Sequence, residues 1–179
     1  LVGGADANDP VAASTTGTGE LIVAALDAGA RRVIVGLGGS ATTDGGLGLA
    51  SALGVRALDA DGRELEGRGA DLRRVARIDL SGRDPRLDDA AIEVACDVHA
   101  PFHGPQGAAR VYGPQKGAGP EAVERLDEGL ATLAAAMARR AMGSTAGRSK
   151  LVHRRCGWCC ARMMESCPVV CEMLAAWQP

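Results

Sequence analysis

The chain has 179 residues and 46% hydrophobic content, enough to bury one core, and with aromatics at only 2% that core must be built from Val, Leu, Ile and Ala. Twenty basic residues against 22 acidic ones leave a formal charge of −2 with no long run of either sign, which excludes the electrostatic footprint of a nucleic-acid or anionic-membrane binder and points to a small-molecule partner. No stretch approaches the roughly 18 apolar residues of a spanning helix, and LVGGADANDP lacks the basic and apolar regions of a signal peptide, so a cytoplasmic protein is expected.

Residues 1–16 read as an irregular lead-in containing an Asp9-Pro10 turn. Thr18-Gly-Glu20 then precedes the amphipathic run LIVAALDAG, with Thr18 placed as N-cap and Gly29 as the C′ glycine of a helix. RVIVGL (32–37) has the continuous apolar pattern of a strand covered on both faces. GGLGLASALG, after Asp44, reads as a second helix closed by Gly54. VRALDADGREL carries a hairpin signal around Asp59-Ala-Asp61-Gly62, and strands are expected at 75–80 and 91–98. A Gly- and Pro-rich loop runs from His99 to Pro120. The helix 120–140 follows, with Pro120 at its start, Val123, Leu126, Leu130, Leu133 and Met137 on one face, and Arg139-Arg140 at its end.

The chemically suggestive stretch is VIVGLGGSATTDGGLG (33–48). A strand, a glycine-rich turn and a helix make a good anion site, because backbone N–H groups converge and glycine lets a phosphate or carboxylate approach the main chain. Gly38, Gly39 and Gly45 supply that approach, Ser40, Thr42 and Thr43 add hydroxyls, and Asp44 supplies a carboxylate able to hold Mg2+ or to accept a hydroxyl proton. A P-loop is excluded, since the Gly-Lys-Ser/Thr ending is missing. Gly36-Leu-Gly38-Gly-Ser-Ala41 with Asp59 fits the loose dinucleotide fingerprint, but Asp59 falls in the expected hairpin rather than after a second parallel strand. A loop needed only for tight strand-to-helix packing is the remaining reading.

STTGTGELI (14–22), GLGGSATTDGG (36–46), LDADGREL (58–65), RIDLSGRDPRL (77–87), ACDV (95–98) and YGPQKGA (112–118) occur in an order and spacing that resemble the type-1 glycerate kinase family over roughly residues 9–140. The resemblance implies an ATP-dependent kinase that phosphorylates a hydroxyl of D-glycerate, with Mg2+ carried by the nucleotide. It also implies a fold of two α/β domains, one flavodoxin-like and one mixed-sheet, with the active site in the cleft between them. This chain is expected to hold an incomplete mixed-sheet α/β domain, as a central fragment. An N-terminal Asp-containing motif and a C-terminal Gly-Glu-Gly segment of the family are not found in it, and it begins at Leu1 rather than Met. A complete site is therefore not expected from this chain alone, and exposed apolar surface is expected to favour self-association.

Lys116, on the stiff Tyr112-Gly-Pro-Gln-Lys-Gly-Ala loop, becomes with Asp44 the expected catalytic pair, as a point charge for a phosphate or carboxylate. Asp97, at the end of an apolar strand, and Thr16 and Thr18, at a hydroxyl-rich helix start, are further candidates for binding substrate or phosphate; turn formation and simple capping are the competing roles. The sequence departs from the family's usual pattern at three places. Thr43 stands for Asn, Thr16 for Tyr, and His99-Ala100-Pro101-Phe102 for Asp-Asn-Pro-Leu. No metal site is expected at His99 and His103, which lack a nearby carboxylate.

Residues 141–179 break with this pattern. Five of the six cysteines (156, 159, 160, 167 and 171) and both tryptophans lie there, without sustained periodicity. Zinc-like spacing in Cys156-x-x-Cys159 and Cys167-x-x-x-Cys171 is joined by only seven residues, and the cytoplasmic expectation disfavours disulfides. This Cys-rich tail is expected to be poorly ordered and the product of a reading-frame shift.

Overall fold

The computed structural model describes residues 4–96 and 100–143. The elements in chain order are α1 (Thr16–Asp27), β1 (Arg32–Leu37), α2 (Leu47–Ala52), β2 (Arg56–Leu58), β3 (Arg77–Asp79), β4 (Ala91–Cys96), α3 (Ala108–Tyr112) and α4 (Pro120–Gly143), with short 3-10 turns at Ala5–Ala7, Gly69–Arg74, Pro85–Asp88 and Pro114–Lys116. β1 pairs with β4 in parallel, from Arg32 opposite Ala91 to Leu37 opposite Cys96, and β2 pairs antiparallel with β3, so the domain is mixed α/β as expected.

α1 starts earlier than its sequence signal. Thr15, not Thr18, occupies the N-cap position, and Thr18 is exposed within the first turns. Its end is as expected: Ala30 N–H donates to Ala25 O and Gly29 N–H to Leu26 O, the paired bonds of a Schellman cap. Ile22 and Leu26 are buried where α1 crosses α2. Gly48 makes that crossing possible, since a Cβ there would lie 2.0 Å from Ser14 Oγ and 2.8 Å from Thr16 N.

α4 follows the sequence pattern closely. Val123, Leu126, Leu130 and Leu133 are buried and Met137 is partly so, packed over the Gly69–Arg74 turn, β3 and α3. Each fully buried leucine contributes about 1.5–3 kcal/mol, so this stripe is a main support of the core. Asp127, buried on the same helix, accepts from Gly104 N–H (2.8 Å) and Arg110 Nε–H (3.1 Å) and so fastens the preceding segment.

Three further expectations differ, wholly or in part, from the structure. Among the described residues, β1 is covered on one face: Val35 is buried, whereas Ile34 is 61% exposed on the side where Arg32 pairs with Glu93. A two-stranded parallel sheet presents its whole second face to solvent unless another layer is laid on it. The hairpin signal produced its turn, with Gly62 N–H donating to Asp59 O (3.0 Å), and a short antiparallel pairing at Leu58–Glu64, where Asp59 N–H donates to Arg63 O (2.9 Å) and Leu65 N–H to Ala57 O (2.9 Å). On its other edge β2 takes β3 as a partner that the hairpin signal did not include, and Ile78 of β3 is buried. The Gly- and Pro-rich stretch before Pro120 contains α3 and the Pro114–Lys116 turn rather than a plain loop. No helix among the described residues is long and apolar enough to cross a membrane.

Candidate functional site

β1 delivers the chain at Leu37 into residues 38–46, which wind to the start of α2. Gly38, Gly39 and Ser40 are exposed, Ala41 and Thr42 half-buried, and Thr43 and Asp44 buried. The loop is therefore open at its beginning and anchored at its end.

Asp44 is the anchor. Its side chain is 1% exposed, and Oδ2 accepts from Thr15 N–H (2.7 Å), Thr15 Oγ1–H (2.7 Å) and Gly48 N–H (3.3 Å), while Oδ1 accepts from Gly46 N–H (3.0 Å). Thr15 Oγ1 in turn accepts from Leu49 N–H (2.9 Å). One carboxylate thus satisfies backbone donors at the starts of both α1 and α2, groups that helix geometry leaves without intrahelical partners. The fold engages both carboxylate oxygens and excludes solvent from them.

The open end of the loop meets Lys116. Its ammonium donates to Thr42 O (2.6 Å) and Ser40 Oγ (3.1 Å), contacts that join residues 74 and 76 positions apart. An ammonium has three N–H donors, so one remains for a ligand. Burial pushes the Lys116 pKa down, and the charge of Asp44 pulls it part of the way back. Thr43, 7% exposed, carries a hydroxyl that is buried and without a hydrogen-bond partner.

The other candidates are distributed differently. Thr16 is part of the α1–α2 seam: Ser14 Oγ donates to Gly67 O (3.0 Å), so Thr16 Oγ1 is the donor in its 2.7 Å contact with Ser14 Oγ. Thr18 is exposed on α1. A Cβ at Gly45 would lie 2.8 Å from Leu133 Cδ2, so that position serves packing against α4. Asp97 and His99 lie outside the described residues, as do the tail cysteines with their zinc-like spacing. Asp59 accepts from Asp61 N–H (3.0 Å), Arg63 N–H (2.9 Å) and Arg74 Nη2–H (3.1 Å), in a turn that follows an antiparallel strand of the other sheet, which argues against the dinucleotide reading.

Sequence reasoning missed two residues here. Thr15 was hidden among neighbouring hydroxyls. Asn8, in the irregular lead-in, donates through Nδ2 to both Ala41 O (2.9 Å) and Lys116 O (2.6 Å), and no periodicity signals such a role.

The donor set fits an anionic group such as a phosphate or carboxylate: an exposed glycine turn, the Ser40 hydroxyl, the unpartnered Thr43 hydroxyl and one free ammonium proton. The Asp44 carboxylate is already engaged by four hydrogen bonds, and no group of three or more His, Cys, Asp or Glu able to hold a metal ion occurs among the described residues. Fold and site together define a mixed α/β protein in which a lysine meets a glycine-rich strand-to-helix loop that is not a P-loop.

Comparison with known proteins narrows this class. The family model described as "Glycerate kinase family" matches residues 2–151, and the chain belongs to that family. The match extends beyond both ends of the 9–140 span of the sequence motifs. The chain is 52% identical over 140 residues to "Glycerate kinase" of Bacillus subtilis (strain 168), covering 78% of this chain and 36% of that protein. It is 49% identical over 126 residues to "Glycerate 2-kinase" of Escherichia coli (strain K12), covering 70% and 33%. The crystal structure of putative glycerate kinase 2 from Salmonella typhimurium LT2 superposes with a TM-score of 0.71 at 52% identity, over 74% of this chain and 35% of that one. The chain thus spans about a third of the length of the curated relatives it matches.

Proposed function

We propose that this chain is part of a cytoplasmic glycerate kinase, in which it supplies an anion-binding corner for a phosphate of ATP or for the carboxylate of D-glycerate. The observation that carries this reading is the Lys116 ammonium held against Thr42 O and Ser40 Oγ, which brings a cation to the open end of the glycine-rich loop. In the reaction, a glycerate hydroxyl oxygen bonds to the γ-phosphorus as the bond to the β–γ bridging oxygen breaks, ADP leaves, and the hydroxyl proton passes to a base. Gly38, Gly39, Ser40, Thr42 and Thr43 present donors to the anion, and Lys116 neutralises its charge. Asp44 enters as the group that fixes the loop's shape, with Mg2+ arriving on the nucleotide. Asp97 completes the proposed binding set.

At about a third of its relatives' length, the chain supplies one wall of such a site, and the 179-residue chain by itself is expected to form little or no phosphoglycerate. It is expected to bind the reactants. Adding ATP with Mg2+, or D-glycerate, to chain labelled with [6-13C]lysine should shift the Lys116 resonance saturably. Phosphoglycerate formation at a normal kinase rate would overturn the view of a partial site, and an unmoved Lys116 signal with every reactant would overturn the anion corner. The open face of β1, with Ile34, is a surface for self-association; a concentration-dependent sedimentation coefficient is the expected sign.

A further inference from the structure

The lysine and the loop come from distant parts of the chain, and the segment between Gly4 and Pro10 is built between them. Asn8 places one amide nitrogen within 2.9 Å of Ala41 O and 2.6 Å of Lys116 O. Both partners are carbonyl oxygens, so only the NH2 side of the amide can face them, and its two hydrogens serve one each. The same segment touches the lysine's turn a second time. Gly117, the residue after Lys116, has φ +92, and a Cβ there would lie 2.3 Å from Ala5 O and 2.7 Å from Asn8 O. The main chain at 116–117 is therefore pressed against residues 5–8 so closely that a side chain at 117 would not fit.

The geometry points to Asn8 as a positioning residue that fixes the separation between the main chain of Lys116 and the glycine-rich loop, and so holds the ammonium in the anion corner. The ammonium spans from its backbone to Thr42 O and Ser40 Oγ. That span is set by where the two backbones lie, and Asn8 is the side chain that bonds to both. Its significance for catalysis rests on the kinase reading above, but its action on Lys116 can be read without any ligand. Burial lowers the Lys116 pKa, with Asp44 as the charged group acting against it, so the titration of this lysine reports whether it stays in the corner.

The chain has two lysines, Lys116 and Lys150, so [6-13C]lysine labelling gives two signals, and Lys150→Arg assigns them. Asn8→Leu keeps the size and shape of the side chain and removes both donors without adding charge; Asn8→Ala removes the side chain. Both are expected to move the Lys116 midpoint up, toward the ordinary lysine value, and to leave Lys150 in place. Both should weaken ATP binding about tenfold through lost preorganisation. Ile22→Val, which loosens the core elsewhere, should lower the melting temperature without moving the Lys116 midpoint. If the Asn8 variants lose stability but keep the native Lys116 midpoint, the proposal is overturned. If neither folds, Asn8 serves the whole fold rather than the lysine, and the proposal falls as well. Failure of the kinase reading looks different: reactants would leave the native Lys116 signal unmoved while the Asn8 variants still shift its titration.

Discussion

Asp44→Asn tests whether the carboxylate belongs to the scaffold or to the chemistry. The substitution preserves size, so no cavity opens, but it replaces one acceptor oxygen with an NH2. If the amide oxygen takes the position of Oδ2, the NH2 faces Gly46 N–H, and a buried backbone donor is stranded at a cost of about 1–3 kcal/mol. The bonds from Thr15 N–H, Thr15 Oγ1–H and Gly48 N–H lose their charge assistance, about 1 kcal/mol each, offset in part because a buried charge no longer has to be desolvated. A net loss of about 2–4 kcal/mol is expected, a large share of the roughly 5–15 kcal/mol that holds a domain together. In urea denaturation the midpoint should fall with little change in slope, and the melting temperature should drop by about 2–4 °C for each kcal/mol lost. A variant within about 0.5 kcal/mol of the parent that no longer binds ATP or glycerate would refute the reasoning and return Asp44 to a direct chemical role.

Lys116→Met should leave the ligand-free fold as stable or slightly more so near neutral pH, because burial disfavours the charged form, while calorimetry shows anion affinity at least about tenfold weaker. In the parent, a lysine whose folded pKa lies below its unfolded one makes stability rise with pH as it approaches the ordinary value of 10.5; Lys116→Met should abolish that rise in alkaline urea titrations. Thr43→Val removes a buried hydroxyl that has no partner, so a gain of about 1 kcal/mol in urea and a loss of ATP or glycerate affinity are expected together. Asp79, held down to about 2 by hydrogen bonds from Ser81 and Arg56, contributes stability that is present above the unfolded value of 3.8 and lost as pH falls through about 2; Asp79→Asn should flatten the acid limb of the stability profile across that window.

Features set by near neighbours in the chain were legible, and those set by distant ones were not. The α4 stripe from Val123 to Leu133 needed only helical spacing, and the end of α1 needed only Gly29 in the right place. The turn at Asp59–Gly62 and the short pairing beyond it were equally local, but the pairing of β2 with Arg77–Asp79 on its other edge joins more distant segments, and no turn residue records it. The apolar run of β1 announced a strand and concealed its faces, because coverage depends on layers contributed from elsewhere. At the candidate site, the motifs selected both the loop and Lys116, whereas their meeting is a tertiary fact across more than 70 residues. Asn8 carried no pattern at all, since its importance lies in two carbonyl groups remote in the sequence.

The placement of the Asp44 carboxylate also has a kinetic consequence. Thr15, Gly46 and Gly48 amides, drawn from two helix starts, share one acceptor group. The Thr15 amide is held from the other helix, so its solvent exchange should follow the opening in which α1 separates from α2, whereas the Gly46 and Gly48 amides, bonded to a carboxylate two and four residues before them, should exchange with unwinding of the α2 start. The glycines at 38 and 39, outside that clasp, should exchange orders of magnitude sooner. A ligand arriving at the loop would thus find a compliant rim mounted on a rigid root, with the boundary between the two drawn by a single side chain.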